Sequence, residues 1–310
     1  MPNAKIACWN IYFSWNLVEK HRGELRIVPR ERTRSENVGR IIREMDADLL
    51  GIVEGASKAE LDFFRKKKCP QYDRLLLNED SSKYTIAVLY KSEVLSVTRI
   101  RINDQRWRAR IGNDRSEKFY KFTRPPLVVR VRHVASDKEF VLALVHLKSK
   151  RPSDNQTREQ QNREAIRNRK RIVAEAMRLR EILYAEADRR GGEPRFMIMG
   201  DINDGPDFDR YEAQILRSGI ESLLGSVLDP DKLLRSFVDL SDGKGQPSSS
   251  FARGSVQLDH IAYTASMVFG RLLPKIRKGS GAVRSDLVDI TRDGKRRDSD
   301  HAPIEVKVRL

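Results

Sequence analysis

A chain of 310 residues, 39% hydrophobic and 34% charged, fits a soluble globular protein and buries roughly 75% of its unfolded surface when it folds, which excludes a stapled mini-protein. Two cysteines, Cys8 and Cys69, exclude a disulfide framework and a cysteine-rich zinc site, and no apolar run approaches the ~18 residues of a membrane span. Lys and Arg number 60 against 44 Asp and Glu, and the net charge of +16 concentrates polyanions, with nucleic acid ahead of an anionic membrane.

In chain order, residues 5–10 read as a strand, and Trp9-Asn10 interrupts it too early for a secretory h-region, so the chain reads as cytoplasmic, in a reducing compartment. Arg34 to Asp46 reads as a helix, because Val38, Ile41, Ile42 and Met45 recur at helical spacing. Residues 47–53 are an apolar strand stopping at Glu54-Gly55, and Ser57, three residues before Glu60, caps a helix to about Lys67. Strands follow at 72–77, 84–90 and 94–102. Residues 99–124 are polar and basic and read as a long loop or projecting hairpin carrying Trp107, Phe119 and Tyr120. Strands at 127–132 and 139–146 precede one long helix, free of Pro and Gly, over 157–188. Strands at 195–200, 258–264 and 303–309 complete the pattern, with loops at 241–256 and 277–300. With no repeat and no linker, one α/β domain over residues 1–310 is the economical reading.

The strand at Phe196–Met199 ends in Gly200-Asp201-Ile202-Asn203-Asp204. Side chains two apart on a strand share a face, so Asp201 and Asn203 are expected to point together past the sheet edge. Two hard oxygen donors there suit Mg²⁺, or a phosphate with its metal; an Asx-rich turn accounts equally well for this segment alone. The same pattern recurs: apolar strands end in Asn10, Glu54 and His146, one strand begins at Asp259, and Asp298-Ser299-Asp300-His301 precedes the last strand. Each has a bland explanation as a turn or core residue. Yet two of only five histidines fall among these strand ends, and the joint pattern is harder to reach by chance.

In order and approximate spacing, Asn10, Glu54, His146, the Gly200–Asp204 run, Asp259 and Ser299-Asp300-His301 resemble the endonuclease/exonuclease/phosphatase superfamily and are similar to DNase I. The resemblance spans residues 5–309. It implies a DNase I-like four-layer α/β/β/α sandwich with two packed mixed β-sheets, and Mg²⁺-dependent phosphoester hydrolysis, with Mn²⁺ as a substitute. By that resemblance Glu54 is the main metal ligand, assisted by Asn10 and Asp300. His301 is the general base, oriented by Asp259. Asp201 and Asn203 position water and phosphate, and His146 binds the phosphate or protonates the leaving oxygen. Arg124, before a core strand, resembles the family's phosphate-contacting arginine.

The family spans nucleases, phosphatases and lipid phosphodiesterases, so the substrate must come from other features. The net charge leans toward nucleic acid, DNA ahead of RNA. So does Lys148 to Arg190, with 13 Lys or Arg against 7 Asp or Glu. The basic stretch at 99–124 adds Trp107 and Tyr120, expected to stack on bases or enter a groove. No apolar insertion suggests stable membrane association. The runner-up is a phosphatase or phosphodiesterase for a lipid or small-molecule phosphoester, and the third reading a non-catalytic nucleic-acid-binding protein on this fold.

Overall fold

A computed structural model describes residues 3–12, 14–79, 83–102, 106–205, 208–236, 249–251, 254–288 and 298–310; the loops expected at 241–256 and 277–300 lie partly outside the described residues. The first half of the chain forms β1 (Asn3–Asn10), β2 (Val18–His21), β3 (Glu24–Ile27), α1 (Arg32–Met45), β4 (Leu49–Gly55), α2 (Lys58–Lys68), β5 (Arg74–Leu77), β6 (Thr85–Tyr90) and β7 (Leu95–Arg99). The middle forms β8 (Trp107–Ala109), β9 (Lys118–Tyr120), β10 (Leu127–His133), β11 (Glu139–His146), α3 (Arg158–Arg190) and β12 (Phe196–Asp201). The remainder holds α4 (Glu212–Ile215), α5 (Gly219–Leu224), β13 (Leu234–Ser236), β14 (Ser249–Phe251), β15 (Gly254–Val256), β16 (Asp259–Thr264), α6 (Ser266–Phe269), β17 (Lys275–Ile276), β18 (Ala282–Val283) and β19 (Ile304–Arg309).

Seven strands make one sheet, ordered β17-β19-β1-β4-β6-β5 with β18 also on β19, and six make a second, ordered β13-β16-β12-β11-β10-β7. The apolar runs are strands buried on both faces. In β11, Leu142 and Leu144 enter the core shared with the first sheet, while Val141, Ala143 and Val145 enter the core under α3. β12 divides in the same way, with Met197 and Met199 between the sheets and Phe196 and Ile198 facing α3. A Cβ on Gly51 would lie 2.6 Å from Leu144 Cδ2 of the facing sheet and 3.3 Å from Cys8 Sγ, so a larger residue there would force Leu144 to shift. Val38, Ile41, Ile42 and Met45 of α1 and Leu61 and Phe64 of α2 join the core on the first sheet. Ile172, Ala176, Leu179 and Leu183 of α3 cover the second. The result is the expected four-layer α/β/β/α sandwich.

Local signals place the helix starts. Ser57 and Glu60 form a reciprocal capping box on α2, and Thr157 and Gln160 form one on α3. The strand directions place the functional edge. β1 runs parallel to β4, and β11 parallel to β12, while β19 and β16 run antiparallel to their neighbours. The ends of β1, β4, β11 and β12 and the starts of β16 and β19 therefore lie along one edge of the sandwich.

Candidate active site

Backbone geometry at this edge is specialised. The register between β4 and β6 slips between Ile52 and Gly55, and Glu54 inside that irregularity has a φ of 57°. A left-handed glutamate within a bulge is an uncommon arrangement that re-aims the side chain away from the ladder. Gly200 has a φ of 135°, and a Cβ there would stand 2.1 Å from the Val145 carbonyl oxygen, so only glycine lets β12 run this close to β11 before Asp201.

The strand-face expectation for Asn203 is corrected. β12 ends at Asp201, and Asn203 adopts a φ of 55°, a conformation asparagine tolerates. Its backbone N–H donates to Asp201 Oδ1 at 2.7 Å, and its carboxamide Nδ2 donates to the Leu147 carbonyl at 3.0 Å. The run is thus an Asx turn and also part of the clustered edge; the two-residue alternation stops where the strand stops.

The side chains converge. Asn10 Nδ2 donates to Asp201 Oδ2 at 3.1 Å. His146 Nε2 lies 3.6 Å from Asp201 Oδ2 and 3.8 Å from Glu54 Oε1. His301 Nδ1 is 2.6 Å from Asp259 Oδ2, and its Nε2 is 3.8 Å from Asp300 Oδ1. The Ser299-Asp300-His301 turn is tied to β1: Ser299 Oγ donates to the Asn10 carbonyl at 2.6 Å and accepts from the His301 N–H at 3.0 Å, and Trp9 Nε1 donates to the His301 carbonyl at 2.9 Å. Arg124 Nη1 donates to the carbonyls of His146 and Leu147 at 3.2 and 2.8 Å.

Electrostatics separates the two histidines. Burial pushes His146 well below its ordinary range, helped by the charges of Arg124 and His301, so its ring is neutral at neutral pH. Burial also works against a charged His301, but the adjacent Asp259, with Asp201 and Asp300, outweighs it and pushes the ring up to about 10. Burial raises Asp201 to about 7, with His301 opposing and Asp259 reinforcing the shift. Considering only the chain's own groups, His301 is therefore held as the imidazolium, and a neutral base there calls for additional positive charge nearby.

The donor set fits one hard cation. Among the described residues no group of three or more His, Cys, Asp or Glu is close enough to chelate a metal. Mg²⁺ does not need one, because it keeps several waters and takes one or two protein ligands plus substrate oxygens. The Asn10 Oδ1 atom is buried and has no hydrogen-bond partner, which is costly unless something binds it. That orphaned oxygen beside Glu54 fits an oxygen-seeking cation.

Three further groups organise the edge and went unread in the sequence. Glu175 of α3, fully buried, accepts from Thr123 N–H at 2.8 Å, Thr123 Oγ1 at 2.6 Å and Lys148 N–H at 3.1 Å, tying together the segments that carry Arg124 and His146. Tyr84, with a φ of 56°, stacks under the Arg124 guanidinium 4.9 Å from its ring centroid and edges onto Trp15 at 4.7 Å. Lys150 pairs with the buried carboxylates of Asp204 and Glu212, and Asp204 Oδ2 also accepts from the Ile220 N–H at 2.9 Å. Asp204 is thus a structural tie. A Lys two residues from another Lys, or a Glu in the middle of a helix, gives no periodic signal that separates these residues from surface charge.

The hairpin aromatics are also corrected. Residues 107–120 do form a two-stranded hairpin, but it lies against α3. Tyr120 is buried with Ile111, Val173, Ala174 and Ile215, and Trp107 packs on Phe122 at 4.9 Å. Apolar burial wins over display for Tyr120, and Trp107 is half-buried. The aromatic left at the surface is Phe119, 54% exposed, with Arg106 and Arg108 at 4.8 and 4.7 Å from its ring centroid. No helix among the described residues is long and apolar enough to cross a membrane.

Solved structures of similar shape include a humanised D. rerio TDP2 carrying 14 mutations, with 14% identity, a TM-score of 0.56 and 99% of each chain covered. A mannosyl-6-phosphatase of Bacteroides thetaiotaomicron has 13% identity and a TM-score of 0.55, covering 99% of this chain and 100% of its own. The human nocturnin catalytic domain with bound sulfate has 15% identity and a TM-score of 0.55, covering 99% of this chain and 93% of its own. No curated protein sequence matches the chain. A sequence profile described as Endonuclease/Exonuclease/phosphatase family matches residues 7–301, nearly the full length. With the sandwich, the clustered strand ends and this match in agreement, the chain belongs to the endonuclease/exonuclease/phosphatase family, and its activity is of the phosphoester-hydrolase kind.

Proposed function

We propose that this protein is a divalent-metal-dependent phosphodiesterase that cuts nucleic-acid backbones as an endonuclease, with DNA the favoured substrate. The observation that carries the hydrolytic part is the 2.6 Å His301–Asp259 pair, set on the same edge as Glu54, Asn10, Asp201, His146 and Arg124. The nucleic-acid part is supported by the +16 charge and by Phe119 between two arginines, since base stacking and cation–π contacts suit single-stranded or frayed segments.

Glu54 and Asn10 would hold Mg²⁺, assisted by Asp300, with Mn²⁺ as a substitute. When bound, the cation neutralises phosphate charge and favours the neutral form of His301. His301 Nε2 takes a proton from water as its oxygen forms a bond to phosphorus and the P–O ester bond breaks, the bonding pair leaving on the ester oxygen, which takes up a proton from solvent. Asp259 fixes the ring through Nδ1 and stabilises the imidazolium that results. Asp201 and Asn203 orient the water and the phosphate. His146, held neutral, donates a hydrogen bond to a phosphate oxygen without adding charge, and Arg124 supplies the cationic contact.

The test is a panel of supercoiled plasmid, linear duplex, single-stranded DNA, RNA, sphingomyelin and inositol phosphates, each with Mg²⁺, Mn²⁺ or EDTA. Nicking of plasmid with Mg²⁺ that EDTA abolishes is the expected result. Hydrolysis of the lipid or inositol phosphoesters alone overturns the nuclease reading, and DNA binding without any cleavage overturns the enzymatic one.

A further inference from the structure

The β11–α3–β12 connection places α3 antiparallel to two parallel strands, so α3 starts on the catalytic edge. Glu175 marks the level of that edge, because it accepts from the N–H groups of Thr123 and Lys148. Residues of α3 before Glu175 therefore continue past the level of the strand ends that carry the site. At about 1.5 Å per residue, Lys170 stands about 8 Å and Arg163 about 18 Å along the helix beyond that level.

A cavity of about 560 Å³ opens on this part of α3, lined by Lys118, Gln156, Gln160, Arg163, Ile166, Arg167 and Lys170. Four cations line it, and no carboxylate does. They come from separate elements, Lys118 from the β8–β9 hairpin and the others from α3. Asp114, nearly buried behind them, accepts from Lys118 Nζ at 2.8 Å and Lys170 Nζ at 2.7 Å. One carboxylate thus orders two ammonium groups and leaves the pair cationic. Arg163 is paired with Glu159 at the exposed rim, a contact weak enough to be exchanged for a phosphate. Gln156 belongs to the loop that leaves His146, and its Oε1 is buried with no hydrogen-bond partner.

We propose that this cavity is a second phosphate-binding site, holding the backbone of a nucleic-acid substrate a few nucleotides from the scissile bond. The proposal rests on the nuclease reading and deepens it: a polymer reaches both places at once, whereas a small phosphoester bound at the catalytic edge does not reach the cavity. Neither Arg163 nor Arg167 belongs to the catalytic cluster, and both are exposed, so replacing them leaves the core untouched.

The experiment compares wild type with the double variant Arg163→Gln/Arg167→Gln on two substrates, bis(p-nitrophenyl) phosphate and a DNA duplex of about 20 base pairs, with Mg²⁺ present. Binding to the same duplex is titrated against salt in EDTA. The expected result is unchanged kcat/KM on the small diester and a roughly tenfold or greater loss on the duplex. The slope of log Kobs against log salt should become shallower by about 2, near 0.9 for each phosphate contact removed. An unchanged duplex rate and salt slope overturn the proposal, and so does an equal loss on both substrates. Wild type that hydrolyses the small diester and leaves the duplex intact removes the nuclease reading itself, a result distinct from either.

Discussion

At the scale of single residues, His301 and His146 differ in environment more than in type. His301 has a carboxylate at 2.6 Å on one nitrogen, while His146 is buried with Arg124 nearby and is kept neutral. The first arrangement suits a proton acceptor whose cation is stabilised, and the second a hydrogen-bond donor. We expect His301→Ala to lower kcat on a phosphodiester by about 10²–10⁴, the range for loss of one acid–base group, and near-normal turnover would remove His301 from the mechanism. Glu54→Gln is expected to shift half-maximal activation to higher Mg²⁺ concentration, and an unaltered metal titration would argue against this ligand. The residues proposed for these roles stood out only jointly, as several strands stopping abruptly in polar groups, and their roles were what the family resemblance implied. Tyr84 and Glu175 did not stand out, because their partners, Arg124, Thr123 and Lys148, are brought to them only by folding.

At the scale of elements, alternation along β11 and β12 divides their side chains between two cores, and this accounts for the uninterrupted apolar runs. Gly51 and Leu144 test how tightly the sheets meet. Leu144→Ala is expected to cost about 2–5 kcal/mol through the cavity it leaves, and Gly51→Ala about 1–3 kcal/mol through overpacking. The added methyl occupies space that the shortened side chain vacates, so the double variant should lose less than the sum of the two by more than ~0.5 kcal/mol in urea unfolding. Simple additivity would mean that the sheets are not in contact at this point. The long strands, the two larger N-terminal helices and α3 were readable within a few residues, because hydrophobic period and capping boxes are local signals. The β2–β3 hairpin and the short helices α4 to α6 were not, since four to six residues carry too little periodicity.

At the scale of the whole molecule, well-placed carboxylates hold some of the surplus cations in place. Asp209 is one of them: it receives Arg169 Nε at 2.9 Å and Nη2 at 2.6 Å, and the N–H groups of Tyr211 and Glu212 at 2.8 and 3.0 Å. Burial raises its pKa, but those donors outweigh it and hold it at about 2, below the ordinary 3.8. A depressed carboxylate contributes stability in full above 3.8, and that contribution is lost as the pH falls through about 2. The thermal midpoint of Asp209→Asn should therefore fall less steeply than that of wild type over this interval. Parallel curves would mean that the Arg169 pairing adds no pH-dependent stability.

From the residues alone came one α/β domain, its main strands and helices in chain order, the polar groups that end several strands and the cationic charge, because apolar period, strand-end polarity and net charge are written along the chain, while the sandwich was what the family resemblance implied. Folding alone decided which of those groups touch. It gave Glu54 a left-handed backbone at an irregularity in β4, bent Asn203 into an Asx turn, half-buried Trp107, buried Tyr120, and left Phe119 outside. It also set the basic face of α3 beside the β8–β9 hairpin to enclose a cavity. The physical reason is that a side chain's role depends on the groups packed around it, and most of those are distant in sequence.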